Sequence, residues 1–233
     1  MNMKKAFTLA EVLITLGIIG IVAAMTLPAI TAKHKKMETS ARLKKFYTTF
    51  TNAMLMAQND YGDTSTWDYS VQSTGTPDSF EANQVFFNKY LFPYLHGIKI
   101  CEPNEQACKN IANKCDVNSN EGKSFSRYIF EDGTCFGILT GGSGSSGAAY
   151  HIWFDTNCSA KPNVCGKDQF MFTMKLAVNK SSRLPFQAGS SLTDIRTRTR
   201  AQLLQDCKST PQTCAALIQY DGWQVEDDYP IIY

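Results

Sequence analysis

The sequence has no excess of either charge: 23 Lys and Arg stand against 21 Asp and Glu in 233 residues, a formal net of +2. That balance gives the chain as a whole no electrostatic reason to seek nucleic acid, anionic lipid or another highly charged partner. Histidine is scarce. His34, His96 and His151 are the only three, and neither His96 nor His151 lies near a serine or cysteine nucleophile motif. A hydrolase needs a base beside its nucleophile, so the sequence assigns no catalytic residue and no cofactor. Cysteine is missing from the first hundred residues and then occurs eight times, at Cys101, Cys108, Cys115, Cys135, Cys158, Cys165, Cys207 and Cys214. Zinc sites usually carry two ligands two to four residues apart, and no two of these cysteines are that close. The pattern therefore predicts disulfides and no metal centre, in a distal region that matures in an oxidising space. Spacing leaves the connectivity open; the short loops Cys158 to Cys165 and Cys207 to Cys214 are the first pairings to expect.

What is present begins at the N-terminus. After Lys4 and Lys5, the run from Phe7 to Ile30 holds almost nothing polar except Glu11 and three threonines. About twenty apolar residues cross a bilayer core as a helix, and basic residues in front of such a run hold that end in the cytoplasm. A carboxylate at the centre of a membrane helix costs about 2.5 to 3.5 kcal/mol on insertion scales, and less near the edge. A plain anchor gains nothing from Glu11. A removable secretory signal is the main rival reading, with a candidate cut after Val22-Ala23-Ala24, before Met25.

The segment Lys4-Lys5-Ala6-Phe7-Thr8-Leu9-Ala10-Glu11-Val12-Leu13-Ile14 resembles the prepilin processing motif of type IV pilins and type II secretion pseudopilins. The resemblance implies a cleaved leader over residues 1–6, cut between Ala6 and Phe7 by a prepilin peptidase, and methylation of the new amino group of Phe7. The family usually has glycine before the cut; Ala6 stands here. Pro28 resembles the proline often found near the end of the pilin membrane segment, where a kink is expected. The implied partners are other pilins, the assembly platform and motor proteins, and the membrane, with nucleic acid not expected. The implied location is the cytoplasmic membrane with the head outside, followed by a surface pilus or periplasmic pseudopilus. Physical chemistry supports the same role for Glu11. A cut before Phe7 leaves an amine about one helical turn from this carboxylate. In staggered parallel helices, the acid of one subunit can then neutralise the amine of the next, offsetting the desolvation each suffers alone.

Beyond Pro28, Leu43, Phe46, Tyr47, Phe50, Ala53, Met54 and Ala57 recur at spacings of three and four, which predicts that one helix continues to about Asn59. Residues 7–30 form its membrane half, 31–60 its amphipathic half and 61–233 the head. The cations from Lys33 to Lys45 read as a solvated face without a binding role. In the head, Asp78 and Glu81 suggest a capping box ahead of a stripe of Phe87, Tyr90, Leu91 and Tyr94. Strands are expected over 125–131, 134–140, 149–155 and 170–176, the first two joined by a two-residue type I′ turn at Asp132-Gly133. A helix is expected from Thr210 to Tyr220, capped by Thr210. The fold class is α+β: a long N-terminal helix on a four-stranded antiparallel meander with disulfide-bearing loops.

Three weaker signals remain. Gly142 to Gly147 spells G-x-G-x-x-G, but the following Tyr150-His151-Ile152-Trp153-Phe154 reads as strand, so a hairpin loop is expected and not a dinucleotide site. Asp155, Asn157 and Asp168 offer oxygen atoms to calcium, yet Asp and Asn also build loops by bonding their own backbone. Arg196, Arg198 and Arg200 read as a solvent-facing segment, with DNA contact as the other reading. The function expected is a pilin or pseudopilin subunit. The alternatives are a minor pilin for adhesion or DNA uptake, and a secreted or anchored hydrolase or binding protein with an ordinary signal.

Overall fold

The structure is a computed structural model that describes residues 8–68, 77–101, 115, 126–144, 147–158, 160–176, 186–190 and 193–233. Ala6, Phe7, Cys108 and most of the cysteine-bearing stretch 101–123 lie outside the described residues. The N-terminal region forms one helix, α1, over Leu9–Tyr61, with Pro28 inside it. Thr8 caps its start and Gly62, at φ 79°, ends it by turning the chain into the left-handed region that glycine tolerates. Thr8 through Thr31 are all exposed, whereas Leu43, Phe46, Phe50, Ala53, Met54 and Ala57 are buried at spacings of three and four. The apolar repeat in the sequence is therefore the buried stripe.

That stripe packs on a single six-stranded sheet. Its strands are β1 (Ile98–Ile100), β2 (Ser126–Phe130), β3 (Cys135–Gly144), β4 (Gly147–Asp155), β5 (Gln169–Lys175) and β6 (Phe186–Ala188). They lie side by side in chain order, and every neighbouring pair is antiparallel. The four expected strands are present within a few residues, and two more flank them. β1 and β6 have three residues each, too few for alternation to show in a sequence. The register aligns Tyr128, Phe136, Phe154 and Phe170 across β2 to β5, and Ile138, Ile152, Phe172 and Ala188 across β3 to β6. Phe46 sits on this grid, with ring centroids 4.1 Å from Phe154, 5.0 Å from Phe172 and 4.7 Å from Phe50 in its own helix. Burying a side chain of this size contributes about 1.5 to 3 kcal/mol, so a few phenylalanines do much to hold the distal half of the helix on the sheet.

The turn between β2 and β3 differs from the expected type I′. Phe130 N–H donates to Thr134 O at 2.9 Å, closing a three-residue loop, Glu131-Asp132-Gly133. A type I′ turn needs positive φ at both central residues; here Gly133 alone has it, at 81°. Asp132 instead accepts from the Thr134 N–H and hydroxyl at 3.0 and 2.7 Å. At the glycine-rich run, β3 extends to Gly144, which lies opposite Gly147 at the start of β4, so strand and not helix follows it.

Helix α2 (Pro77–Tyr90) opens on Pro77, one residue before Asp78, so Asp78 lies inside the helix and is not its cap. Phe86, Phe87, Tyr90 and Leu91 are buried and Tyr94 is partly buried, as the stripe required. The C-terminal part contains an unexpected helix, α3 (Arg200–Ser209), started by a Thr199–Gln202 capping box. The helix expected from Thr210 is divided: Pro211–Thr213 is a 3-10 turn, and α4 spans Cys214–Tyr220. Thr210 makes no side-chain cap, because it closes α3 by donating its N–H to Asp206 O. The 3-10 turn packs against β5 and α4 against both β5 and β6, while α3 packs on the turn and on α4; β5 is buried at all seven positions.

Candidate assembly and docking surfaces

Glu11 stands in the exposed part of α1, in the helix's first turn. The Thr8 N–H and hydroxyl each donate to Glu11 Oε2 at 2.8 Å, and Glu11 N–H donates to Thr8 Oγ1 at 3.3 Å. This reciprocal pair satisfies otherwise unpaired amides at the helix start. Both bonds to the carboxylate land on Oε2, and among the described residues Oε1 accepts none. Thr8 was legible as a cap from the Thr8-x-x-Glu11 spacing, which the reading of the sequence did not use.

The cations of α1 are a correction to that reading. Three of the six fasten the helix to the head instead of facing solvent alone. Lys36 donates to Asp227 at 3.2 Å and to Glu226 O at 3.3 Å. Arg42 donates to Thr156 O at 2.6 Å while pairing with Glu38 at 2.8 Å. Lys45 meets Asp132 at 2.6 Å, where the cation holds the carboxylate below its usual range against the opposing effect of burial. Asp132 and Asp227 lie 87 and 191 residues away along the chain, so no local pattern announced these two.

A C-terminal strap completes the seam. Trp223 packs on Tyr47 at 5.1 Å, Tyr229 O–H donates to Gly166 O at 2.5 Å, and Tyr233 O–H donates to Lys167 O at 2.9 Å. Arg200 grips the strap's two ends, donating to Asp221 at 2.7 and 3.0 Å and to Asp228 twice at 2.7 Å. The paired carboxylates push the Arg200 guanidinium pKa up. Arg196 and Arg198 pair with Asp194 and Asp206. The arginine run faces solvent in part, as expected, and also engages in ion pairs within the head. Gly166 cannot change here: a Cβ would lie 2.3 Å from Ile231 Cδ1, and φ is +80°.

Three disulfides tie the loops: Cys115–Cys165, Cys135–Cys158 and Cys207–Cys214. The last matches expectation. Cys158 and Cys165 do not pair with each other; the first reaches back to the start of β3 and the second to Cys115. Cys101 is disulfide-bonded as well.

The loop from Asp155 to Asp168 uses its acids internally. Asp168 accepts from the Asn163 and Val164 amides at 2.6 and 2.5 Å, and Asp155 accepts from Asn157 N–H at 3.0 Å and Gln169 Nε2 at 2.9 Å. Burial pushes the Asp155 carboxyl up to about 7, opposed by these bonds. Among the described residues, no group of three or more His, Cys, Asp or Glu is placed to hold a metal ion. His151 sits 6.5 Å from the Trp153 ring, and His34 and His96 are exposed in other parts of the chain.

Comparison with known proteins gives two matches. A family model described as the prokaryotic N-terminal methylation motif matches residues 1–27. A second, described as a family of unknown function (DUF6613), matches residues 29–232. No curated protein and no solved structure matches the chain significantly.

Proposed function

Because the chain belongs to the DUF6613 family and is a type IV pilin-like precursor, we propose that it is a structural subunit of a type IV pilus or a pseudopilus and works by self-association. The observation that carries this reading is the methylation motif on a helix whose first half, Thr8 to Thr31, is exposed along its whole length. Such a half needs lipid before assembly and neighbouring helices after it. In this reading residues 1–6 are the leader, the peptidase cuts between Ala6 and Phe7, and the Phe7 amine is methylated. Methylation keeps the amine's positive charge. Glu11 then receives the amine of an adjoining subunit through its remaining oxygen, fixing axial register, and Pro28 is where the rod bends. The head, 61–233, faces away from the cytoplasm, where its disulfides form. The motif favours a structural subunit over an enzyme.

Mass spectrometry of the mature N-terminus tests the reading directly. A chain beginning with methylated Phe7 is the expected result. A chain beginning at Met25, in the middle of α1's exposed half, would replace it with an ordinary secretory signal.

A further inference from the structure

Two cation-lined grooves flank α1 where it leaves its apolar stretch. The larger, about 720 Å³, lies between the helix and the strap; it runs up from Ala29 and Ala32 past Lys33, Lys36 and Lys44. The second, about 400 Å³, lies on the side of the 155–168 loop and brings Lys35 and Arg42 together with Lys161 and Lys167. Some of this charge is already matched, Lys36 by Asp227 and Arg42 by Glu38. Among the described residues, Lys33, Lys35, Lys44 and Lys161 have no acidic partner, and Lys167 lies 5.9 Å from the Tyr233 ring centroid. Exposed apolar side chains accompany these cations: Met37, at 62% exposure, lines the larger groove, while Ile232, at 87%, and Val164, at 40%, neighbour Tyr233 and Asn163 in the chain. The chain's overall charge is balanced, so this concentration of unmatched cations at one end of the head is a local feature.

We propose that this underside of the head docks on the anionic phospholipid headgroups of the membrane that holds the subunit before assembly. The proposal rests on the membrane-anchored reading above and adds a second contact to it. Height along the helix selects the occupant. From Leu9 to Ile30 the helix rises about 33 Å at roughly 1.5 Å per residue, enough to fill a hydrocarbon core of about 30 Å. Lys33, Lys35 and Lys36 then stand about 5 to 9 Å farther on, within the headgroup layer, where cations near an anionic surface each add attraction and apolar neighbours enter the acyl boundary. A nucleic-acid duplex would meet the bilayer at the same height and would gain nothing from Ile232 or Met37. The two grooves flank the helix, so both sides of the stem contribute.

The test uses the full chain reconstituted into vesicles of phosphatidylcholine alone, or of phosphatidylcholine mixed with phosphatidylglycerol, and reads lysine acylation by mass spectrometry. Lys89 is the internal reference, since it sits beside Tyr90, against Tyr61 at the distal end of α1. Lys33, Lys35 and Lys161 should acylate about threefold more slowly in the anionic vesicles, and added salt should remove the difference. A Lys33→Glu, Lys35→Glu, Lys161→Glu variant leaves the head-fastening Lys36, Arg42 and Lys45 in place and should abolish the protection of Lys167. Equal rates in both vesicles while the chain floats with each would overturn the headgroup contact and leave the anchor standing. Failure to float with either vesicle would overturn the anchor itself. Stronger protection by duplex DNA than by anionic vesicles would reject lipid in favour of nucleic acid.

Discussion

The two halves of α1 carry similar side chains under opposite conditions. Past Thr39 the helix places Leu43, Phe46, Phe50 and Met54 in the core at 2% exposure or less, whereas before Thr31 it leaves Leu13, Ile14, Ile18 and Ile19 at 58 to 64%. Backbone and chemistry are continuous across the boundary; what changes is whether the rest of the chain supplies a partner surface. Apolar content alone thus does not separate a core from an assembly surface. The distal half completes a folded domain, and the proximal half is finished only by something outside the molecule.

The contrast is sharpest at Glu11. Glu11→Ala should lower incorporation into filaments at least tenfold while flotation with membranes and the melting temperature of the head stay unchanged. Normal incorporation, measured in sheared filament fractions, would remove the acid from assembly. Next in size, Phe46→Ala should destabilise the head by about 3 to 5 kcal/mol, read by denaturant unfolding, whereas Ile18→Ala, as apolar a change in the same helix, should leave that unfolding curve in place. Equal effects would mean the two halves are energetically one unit. Removing the Cys135–Cys158 bridge with paired serines should cost about 2 to 4 kcal/mol and leave membrane insertion intact.

The last effect concerns pH. Burial raises the Asp155 carboxyl to about 7 in the folded head, above its unfolded value near 4, so the folded state binds the proton more tightly. The stability this contributes is fully present below about pH 4 and is lost as pH rises toward 7, with a slope no steeper than about 1.4 kcal/mol per pH unit. Asp155→Asn should flatten the fall in melting temperature between those pH values. An unchanged profile would assign the titration to another group.

Periodic features were readable from the chain. The helix stripe ending at Ala57 and the aromatic alternation of β5 give their structure from spacing alone, because each residue's neighbours are set by one repeat. The N-terminal motif was equally local. The missed features each depend on where distant segments meet. β1 and β6 are strands because they complete sheet edges, Cys158 pairs with Cys135 because β3 begins beside the end of β4, and Lys36 is a fastener because Asp227 arrives from the far end of the chain. Thr8 and Thr199 were legible and overlooked: both begin a threonine cap with Glu or Gln three positions later. In two basic stretches, Lys33 to Lys45 and Arg196 to Arg200, the ion pairs went unseen for one reason. A sequence shows a charge but not which acid will stand opposite.

The strap from Trp223 to Tyr233 also bears on traction. If a motor draws α1 lengthwise out of the bilayer, force enters the head first at the stem, where Lys36 and Tyr47 hold that strap and Arg42 and Lys45 hold the Thr156 carbonyl and Asp132. The load is shared in parallel by several attachments that must slip together, so the head travels with its rod as one body and does not peel from it rung by rung.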